Sequence, residues 1–156
     1  MSHCCCMVFT KEFPTETVLE KILAPLNWDN VFDREHREGE RYSAPFTWDY
    51  WLLGGRYSGA LKLKIEEQSE KYRFYKENWY GPMVFEDGYL RIDGALCEDV
   101  VNLQEMNCFC FLDCNGNAFA REIRPGYTEN TEFDKQLSSA KANSADCYVC
   151  IVDLHD

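Results

Sequence analysis

The pattern of hydrophobic and polar positions predicts a strand near each end of the chain. Residues 3–10 and 147–154 are almost continuously apolar, which is typical of strands that are buried on both faces. Because a strand covered on both faces lies inside a sheet, we expect these two strands to be central and adjacent to each other.

Three other segments favour helices, through apolar residues at helical spacing or high helix propensity. They are residues 15–23, 67–79 and 129–142. In the second segment, Tyr72, Tyr75 and Trp79 are spaced to share one face. Strands interspersed with about three helices predict an α+β fold, in which helices cover a mainly antiparallel sheet.

Turn residues predict one hairpin late in the chain. Asn115-Gly116 lies between the apolar runs 109–113 and 118–123, and it is among the strongest hairpin signals. Further upstream, residues 27–45 are polar, charged and interrupted by Gly39, which predicts a long surface loop.

The diglycine Gly54-Gly55 is a second turn signal. It follows the aromatic run 46–53 and precedes residues 58–66, where apolar and charged side chains alternate. These two runs predict a hairpin or a bulged strand pair around the diglycine.

Length and charge limit the classes of function. The chain of 156 residues, 46% of them hydrophobic, predicts one globular domain over 1–156. Sixteen basic and 27 acidic side chains give a net charge of −11, which disfavours direct binding to nucleic acids and acidic membranes. No apolar run approaches the roughly 20 residues of a membrane span, and the first residues lack an export-signal pattern. We therefore expect a cytoplasmic protein, and the sequence leaves homo-oligomerisation open.

The nine cysteines predict a reduced core. Their number is odd and several lie inside hydrophobic runs, where free cysteine behaves as a small buried hydrophobe. Cys147 and Cys150 have the two-residue gap of a zinc knuckle, but no other cysteine spacing completes a zinc template. No metal site is predicted, although the sequence leaves open whether this pair or the histidines bind one. The sequence carries no cofactor signature, so no cofactor is expected.

The segment 48–59 carries the residues of a candidate ligand site. It combines flat aromatic faces for stacking, a diglycine for close backbone approach and an arginine for an anionic group. The candidate ligand-binding residues are Trp48, Tyr50, Trp51, Gly54, Gly55, Arg56 and Tyr57. In the alternative interpretation, the aromatic residues belong to the core and Arg56 pairs with an acid such as Asp49.

A second constellation lies at the two ends of the chain. Asp153 and His155 are two residues apart on one predicted strand, so they share a face, and His3 joins them if the terminal strands pair. Such a trio is able to act in acid–base catalysis or to hold a divalent metal. The alternative is a structural hydrogen-bond cluster, and His36 is expected to be solvated.

Three blocks of the sequence resemble an uncharacterised family of small phage and prophage proteins. The blocks are the Met1-Ser2-His3 start, the segment 48–59 and the Val152-Asp153-Leu154-His155 end. Members of the family begin MSH, carry a core similar to WDWYxxGGRWxG and end in VVDxH. This chain has Tyr57 where the family usually has Trp, and Asp156 follows the last histidine. The resemblance implies a viral context and a host-cell cytoplasm, without a mechanism.

These observations favour a binding protein over an enzyme. The expected partner is a small nucleotide ligand, which a phage protein would sequester to counteract host defence. One alternative is a hydrolase that degrades such a nucleotide with His3, Asp153 and His155. Another is an acidic protein that blocks a nucleic-acid-binding defence effector.

Overall fold

A computed structural model describes residues 2–41 and 43–156. These residues form four α-helices and eleven strands. The helices are α1 (Glu16–Leu23), α2 (Trp28–Phe32), α3 (Glu70–Asn78) and α4 (Phe133–Ala142). The strands are β1 (His3–Thr10), β2 (Tyr50–Leu53), β3 (Leu61–Leu63), β4 (Val84–Glu86), β5 (Tyr89–Ile92), β6 (Gly94–Leu96), β7 (Cys110–Leu112), β8 (Ala118–Ala120), β9 (Glu122–Ile123), β10 (Thr128–Glu129) and β11 (Tyr148–His155).

The main sheet has the strand order β2-β11-β1-β7-β8, and β6 pairs with β11 beside β2. β1 and β11 are antiparallel over eight residues, from His3 opposite His155 to Thr10 opposite Tyr148. β7 lies parallel to β1, which makes this sheet mixed. The α+β class and the central, adjacent terminal strands are therefore confirmed, with four α-helices instead of about three.

Burial explains why the terminal strands occupy the centre. From Cys6 to Phe9 and from Val149 to Leu154, all the side chains are at most 1% exposed. Continuous burial of this kind needs cover on both faces of the sheet. On α1, the buried side chains of Leu19 and Leu23 supply part of that cover.

Two of the three predicted helices begin where hydroxyl side chains cap them, whereas α4 begins after Glu132 without a side-chain cap. Thr15 accepts the backbone N–H of Val18 at the start of α1, and Ser69 accepts that of Tyr72 at the start of α3. No helix among the described residues is long and apolar enough to cross a membrane.

The predicted hairpin at Asn115-Gly116 is present. β7 and β8 pair antiparallel, and Asp113 Oδ1 accepts the backbone N–H groups of Asn115 and Asn117. Gly116 has φ +81°, a left-handed conformation that glycine adopts without strain.

The surface-loop prediction for residues 27–45 is wrong over residues 27–37, which are helical or cap a helix. Asn27 caps α2 by accepting the backbone N–H of Asp29, and Val31 is fully buried, so this segment has an apolar anchor. One π-helical turn follows at Asp33–Arg37. The sequence does not predict α2, because Val31 is its one buried residue and a single apolar position gives no helical periodicity. Tyr42 lies outside the described residues.

The hairpin predicted around the diglycine does not form. β2 pairs with β11, whereas β3 pairs with β5 in a separate sheet of order β3-β5-β4. Between β2 and β3 the chain makes a 3₁₀ turn at Gly55–Tyr57. The turn thus carries the chain from one sheet to the other.

Candidate functional site

The two histidines at the ends of the chain face each other across the central strands. Because β1 and β11 pair His3 with His155, the two rings lie 4.9 Å apart between centroids and meet edge to face. His3 Nδ1 is 3.0 Å from Asp153 Oδ1, and His155 Nδ1 is 2.7 Å from Asp49 Oδ1. The structure therefore brings the predicted trio together and adds Asp49 as a fourth member.

Each carboxylate orients one imidazole ring. A carboxylate only accepts hydrogen bonds, so each Nδ1 donates and leaves Nε2 as the ring nitrogen available to a ligand. Asp153 and His155 are 1% and 3% exposed, whereas the Asp49 side chain is more than half exposed. The hydrogen bond from His155 lowers the pKa of Asp49 below its ordinary value.

Both histidine Nε2 atoms remain open to further contact. Among the described residues, the buried side-chain nitrogen and oxygen atoms without a hydrogen bond are Trp79 Nε1 and Arg91 Nε. Neither histidine Nε2 is therefore a fully buried atom that lacks a hydrogen bond. Two rings in contact, each fixed at Nδ1, form a site that can supply one proton acceptor and one proton donor.

The diglycine wraps closely around two buried carboxylates. Gly54 and Gly55 have φ values of +66° and +53°. A Cβ atom at Gly54 would lie 2.5 Å from Asp93 Oδ2, and one at Gly55 would lie 2.5 Å from Asp153 Oδ2. Glycine is required at both positions because the backbone φ is positive and because the Asp93 and Asp153 carboxylates fill the space that a Cβ atom would need. The two glycines therefore approach protein carboxylates, where the sequence analysis expected a ligand.

Backbone N–H groups of the same turn bind these carboxylates. Arg56 N–H donates to Asp153 Oδ2 at 2.9 Å, and Gly59 N–H donates to Asp93 Oδ1 at 2.6 Å. Ser58 adds its hydroxyl to Asp93 Oδ2 at 3.0 Å. We call residues 54–59 the carboxylate-binding turn.

The turn leaves the Arg56 side chain at the surface. Its guanidinium makes no hydrogen bond or ion pair with another residue in the described part of the chain. The alternative pair with Asp49 is not formed, since Asp49 binds His155. Beside it, Tyr57 is half-buried and its hydroxyl lies 3.4 Å from the His3 carbonyl oxygen. Burial raises the pKa of Tyr57.

The predicted aromatic residues do not share one surface. Trp48 is buried, with its indole N–H donating to the Leu23 carbonyl at 2.8 Å. Along β2, Tyr50 is exposed whereas Trp51 is half-buried and packs against the core. Tyr50 stacks on His155 with ring centroids 4.3 Å apart and an angle of 16°. Tyr50 and Tyr57 are thus the aromatic residues that contact the histidine cluster.

A groove of about 510 Å³ lies beside β2. Trp48, Tyr50 and Trp51 line it together with Glu16 and Glu20, and none of its described lining residues is basic. An anion is disfavoured there, and Tyr50 is shared by this groove and the histidine cluster. A separate cavity of about 390 Å³ opens beside His3.

No metal centre is formed by the described residues. Within 2–41 and 43–156, there is no group of three or more His, Cys, Asp or Glu side chains placed to hold a metal ion. Cys147 and Cys150 are both buried, and the contact of Cys147 is with Cys114. His36 is exposed, as expected, and stacks on Phe32.

Two site residues are not predicted by the sequence: Asp49, which binds His155, and Asp93, which lies under the diglycine. Only the strand register, which sets Tyr50 opposite His155, reveals the first of these contacts. The blocks that resemble the phage family meet here, because His3, residues 49–57 and residues 153–155 share the site; that resemblance stays a prediction. Comparisons with protein-family models, curated proteins and solved structures returned no significant match.

Proposed function

We propose that the protein binds a nucleotide-derived anion on its histidine face, defined as His3, Tyr50, Arg56, Tyr57 and His155. The observation that carries this proposal is the exposed guanidinium of Arg56. The backbone N–H of this residue is held by Asp153, while its side chain has no partner among the described residues. Arginine offers a planar fork of donors that suits phosphate oxygens.

Tyr50 supplies the stacking surface for a base. Its ring is 45% exposed and one side of it is occupied by His155. The opposite side of the ring is the natural position for an aromatic base, since base–aromatic stacking is worth about 1–3 kcal/mol. A ligand bound in this way spans the face from Tyr50 to Arg56.

Local contacts must provide the affinity, because the net charge of −11 repels anions at long range. A charge-assisted hydrogen bond contributes about 1.5–3 kcal/mol. The histidines add donors to the face when they are protonated. These local donors favour a compact ligand with clustered phosphate groups over a long polyanion, which would meet the acidic surface.

The sequence resemblance supports a biological role for such binding. A small phage protein that holds a nucleotide intact is able to remove a signal from a host defence system. We therefore propose sequestration of a nucleotide defence signal in the host cytoplasm.

The decisive variant is Arg56→Ala, with Arg73→Ala as the matched control, because Arg73 is an exposed arginine on α3. Calorimetric titration with a panel of cyclic and ADP-ribose-derived nucleotides is the measurement. We expect Arg56→Ala to weaken binding by roughly one to two decades and Arg73→Ala to leave it unchanged.

The melting temperature without ligand completes this test. A binding role predicts that ligand-free Arg56→Ala melts like the original protein. Earlier melting would assign Arg56 a structural role, and unchanged affinity would remove it from the site. Absence of binding by every nucleotide in the panel would contradict the proposal.

A second candidate function is hydrolysis of the bound nucleotide. The observation that favours it is the pair of histidines, each oriented at Nδ1 by its own carboxylate. One Nε2 would take a proton from the attacking water while the other, protonated, would donate to the leaving oxygen. Chromatography of the nucleotide after heat denaturation of the protein distinguishes the two functions, since a binder returns it intact and a hydrolase returns product.

A further inference from the structure

Two cysteines meet at the end of the main sheet that lies away from the histidine face. Cys114 Sγ and Cys147 Sγ are 2.6 Å apart, and Ser144 Oγ is 3.4 Å from Cys114 Sγ. Cys114 belongs to the turn between β7 and β8, whereas Cys147 immediately precedes β11. Since β1 separates the two ends by eight residues, the thiols lie roughly 20 Å from His3.

The surroundings make the two thiols unequal. Cys114 is half-buried and lines an open cavity of about 330 Å³, together with Ser144 and polar side chains of α4 such as Gln136. Cys147 is 2% exposed and does not line the cavity. Burial, with the neighbouring Cys114, raises the pKa of Cys147 to about 12. A small molecule in the cavity therefore reaches Cys114 first and finds Cys147 directly behind it.

We propose that Cys114 and Cys147 form a redox-active thiol pair that a hydroperoxide converts to a disulfide. The Cys114 thiolate attacks one peroxide oxygen, which breaks the O–O bond and gives a sulfenic acid and hydroxide. The Cys147 thiol then attacks the Cys114 sulfur, and the sulfenic oxygen leaves as water once it has taken up a proton. Two thiols are oxidised by two electrons while one hydrogen peroxide is reduced to two waters.

Two other cysteines are too deeply buried for a peroxide to reach, and a third competes with Cys114. Cys110 and Cys150 are fully buried, and burial raises the pKa of each thiol well above its ordinary value. Cys4 is half-buried, it lines the cavity beside His3, and its interaction with Cys110 lowers its pKa, so it is the natural competitor and the best control. The proposal goes beyond nucleotide binding and does not depend on it.

The bridge would connect the β7–β8 turn to the start of β11. Cross-linking two residues that are 33 positions apart restricts the unfolded chain. For a protein of this size, we expect the melting temperature of the oxidised form to rise by about 5–10 °C and to return after reduction with dithiothreitol.

The experiment treats the folded full-length protein with hydrogen peroxide, alkylates the remaining thiols in denaturant and maps disulfides by mass spectrometry. We expect two of the nine thiols to be lost, in one bridge between Cys114 and Cys147. Cys114→Ser and Cys147→Ser should each abolish this bridge, and Cys4→Ser should retain it.

Three results would overturn the proposal. They are nine unmodified thiols after peroxide treatment, a sulfinic acid at Cys114 without a bridge, and a bridge elsewhere, for example between Cys4 and Cys110. Because nucleotide titration is measured on the reduced protein, its failure would leave the thiol result unaffected.

Discussion

Asp93 and Asp153 are both about 1% exposed, and both lie under the carboxylate-binding turn, but their charges are compensated differently. Asp153 binds the His3 ring, which can carry a positive charge, in addition to the Arg56 N–H. Asp93 has the neutral donors of Ser58 and Gly59. The same turn therefore covers one carboxylate that has an ionisable partner and one that has none among the described residues.

The ionisable partner of Asp153 makes this carboxylate a candidate functional group, whereas Asp93, with its neutral donors, is structural. Burial raises the pKa of Asp93, and the donors from Gly59 and Ser58 offset this only in part. Asp153 links the turn to His3 and hence to the histidine face. We infer that Asp93 positions the turn, whereas Asp153 also sets the orientation of a ring that a ligand can reach.

The largest expected effect is from adding a side chain to the turn. Gly55→Ala forces alanine into a left-handed conformation and places its Cβ against Asp153, so we expect a loss of about 3 kcal/mol or more in unfolding free energy. Gly116→Ala is the control, because its φ is also positive but nothing lies within 4 Å of the added Cβ. Urea denaturation should show a loss of about 1 kcal/mol for the control. Equal losses would mean that contact with the carboxylate contributes nothing.

An intermediate effect is expected from Asp153→Asn. The amide has one oxygen acceptor for the two donors that now bind Asp153, so one buried hydrogen bond is lost or reversed. We expect the unfolding free energy to fall by about 1–3 kcal/mol. A double-mutant cycle with His3→Gln measures how much of this loss passes through His3; a coupling energy near zero would contradict the assigned pair.

The smallest effect, and one of opposite sign, is expected from Asp93→Asn. Because the folded-state pKa of Asp93 is raised, ionisation costs the folded state stability as the pH rises through that pKa. Removing the charge should therefore stabilise the protein at neutral pH, by less than about 1 kcal/mol. No hydrogen bond need be lost in this variant, because the amide oxygen can accept from Gly59 while the Ser58 hydroxyl accepts from the amide N–H. Well below the unfolded-state pKa of about 3.9, both states of the original protein are protonated, and the difference should close. Urea denaturation at pH 7 and at about pH 2.5 checks this; a lower stability of the variant at pH 7 would be inconsistent with it.

The sequence predicts those parts of the fold that depend on local or continuous patterns. The apolar runs of β1 and β11 indicate their central position, and Asn115-Gly116 indicates its hairpin, because both signals are complete within a few residues. The partners of β2 and β3 are not local, since each strand pairs with a distant one. The diglycine therefore predicts a special turn, but it does not predict the elements that the turn connects.

The candidate site shows the same limit. His3, Asp153 and His155 could be grouped because pairing of two recognisable strands brings them together. Asp49 and Asp93 could not, since their partners depend on the register of β2 and on the path of the turn. Arg56 and Tyr50 lie near the cluster. Trp48 and Trp51 instead line, together with Tyr50, a groove that contains Glu16 and Glu20, an arrangement that sequence spacing does not reveal.

The pairing of β1 with β11 also has a consequence for folding kinetics. These strands make the most extensive pairing of the sheet, although they are separated by nearly the whole chain. Loop closure over such a distance must occur before the central apolar residues are covered, which raises the contact order and slows folding. During synthesis, β1 emerges before β11 and stays without this partner until residue 155 has left the ribosome. Met7, Val8 and Phe9, which are buried in the folded protein, lack the cover of β11 during that interval and are open to aggregation.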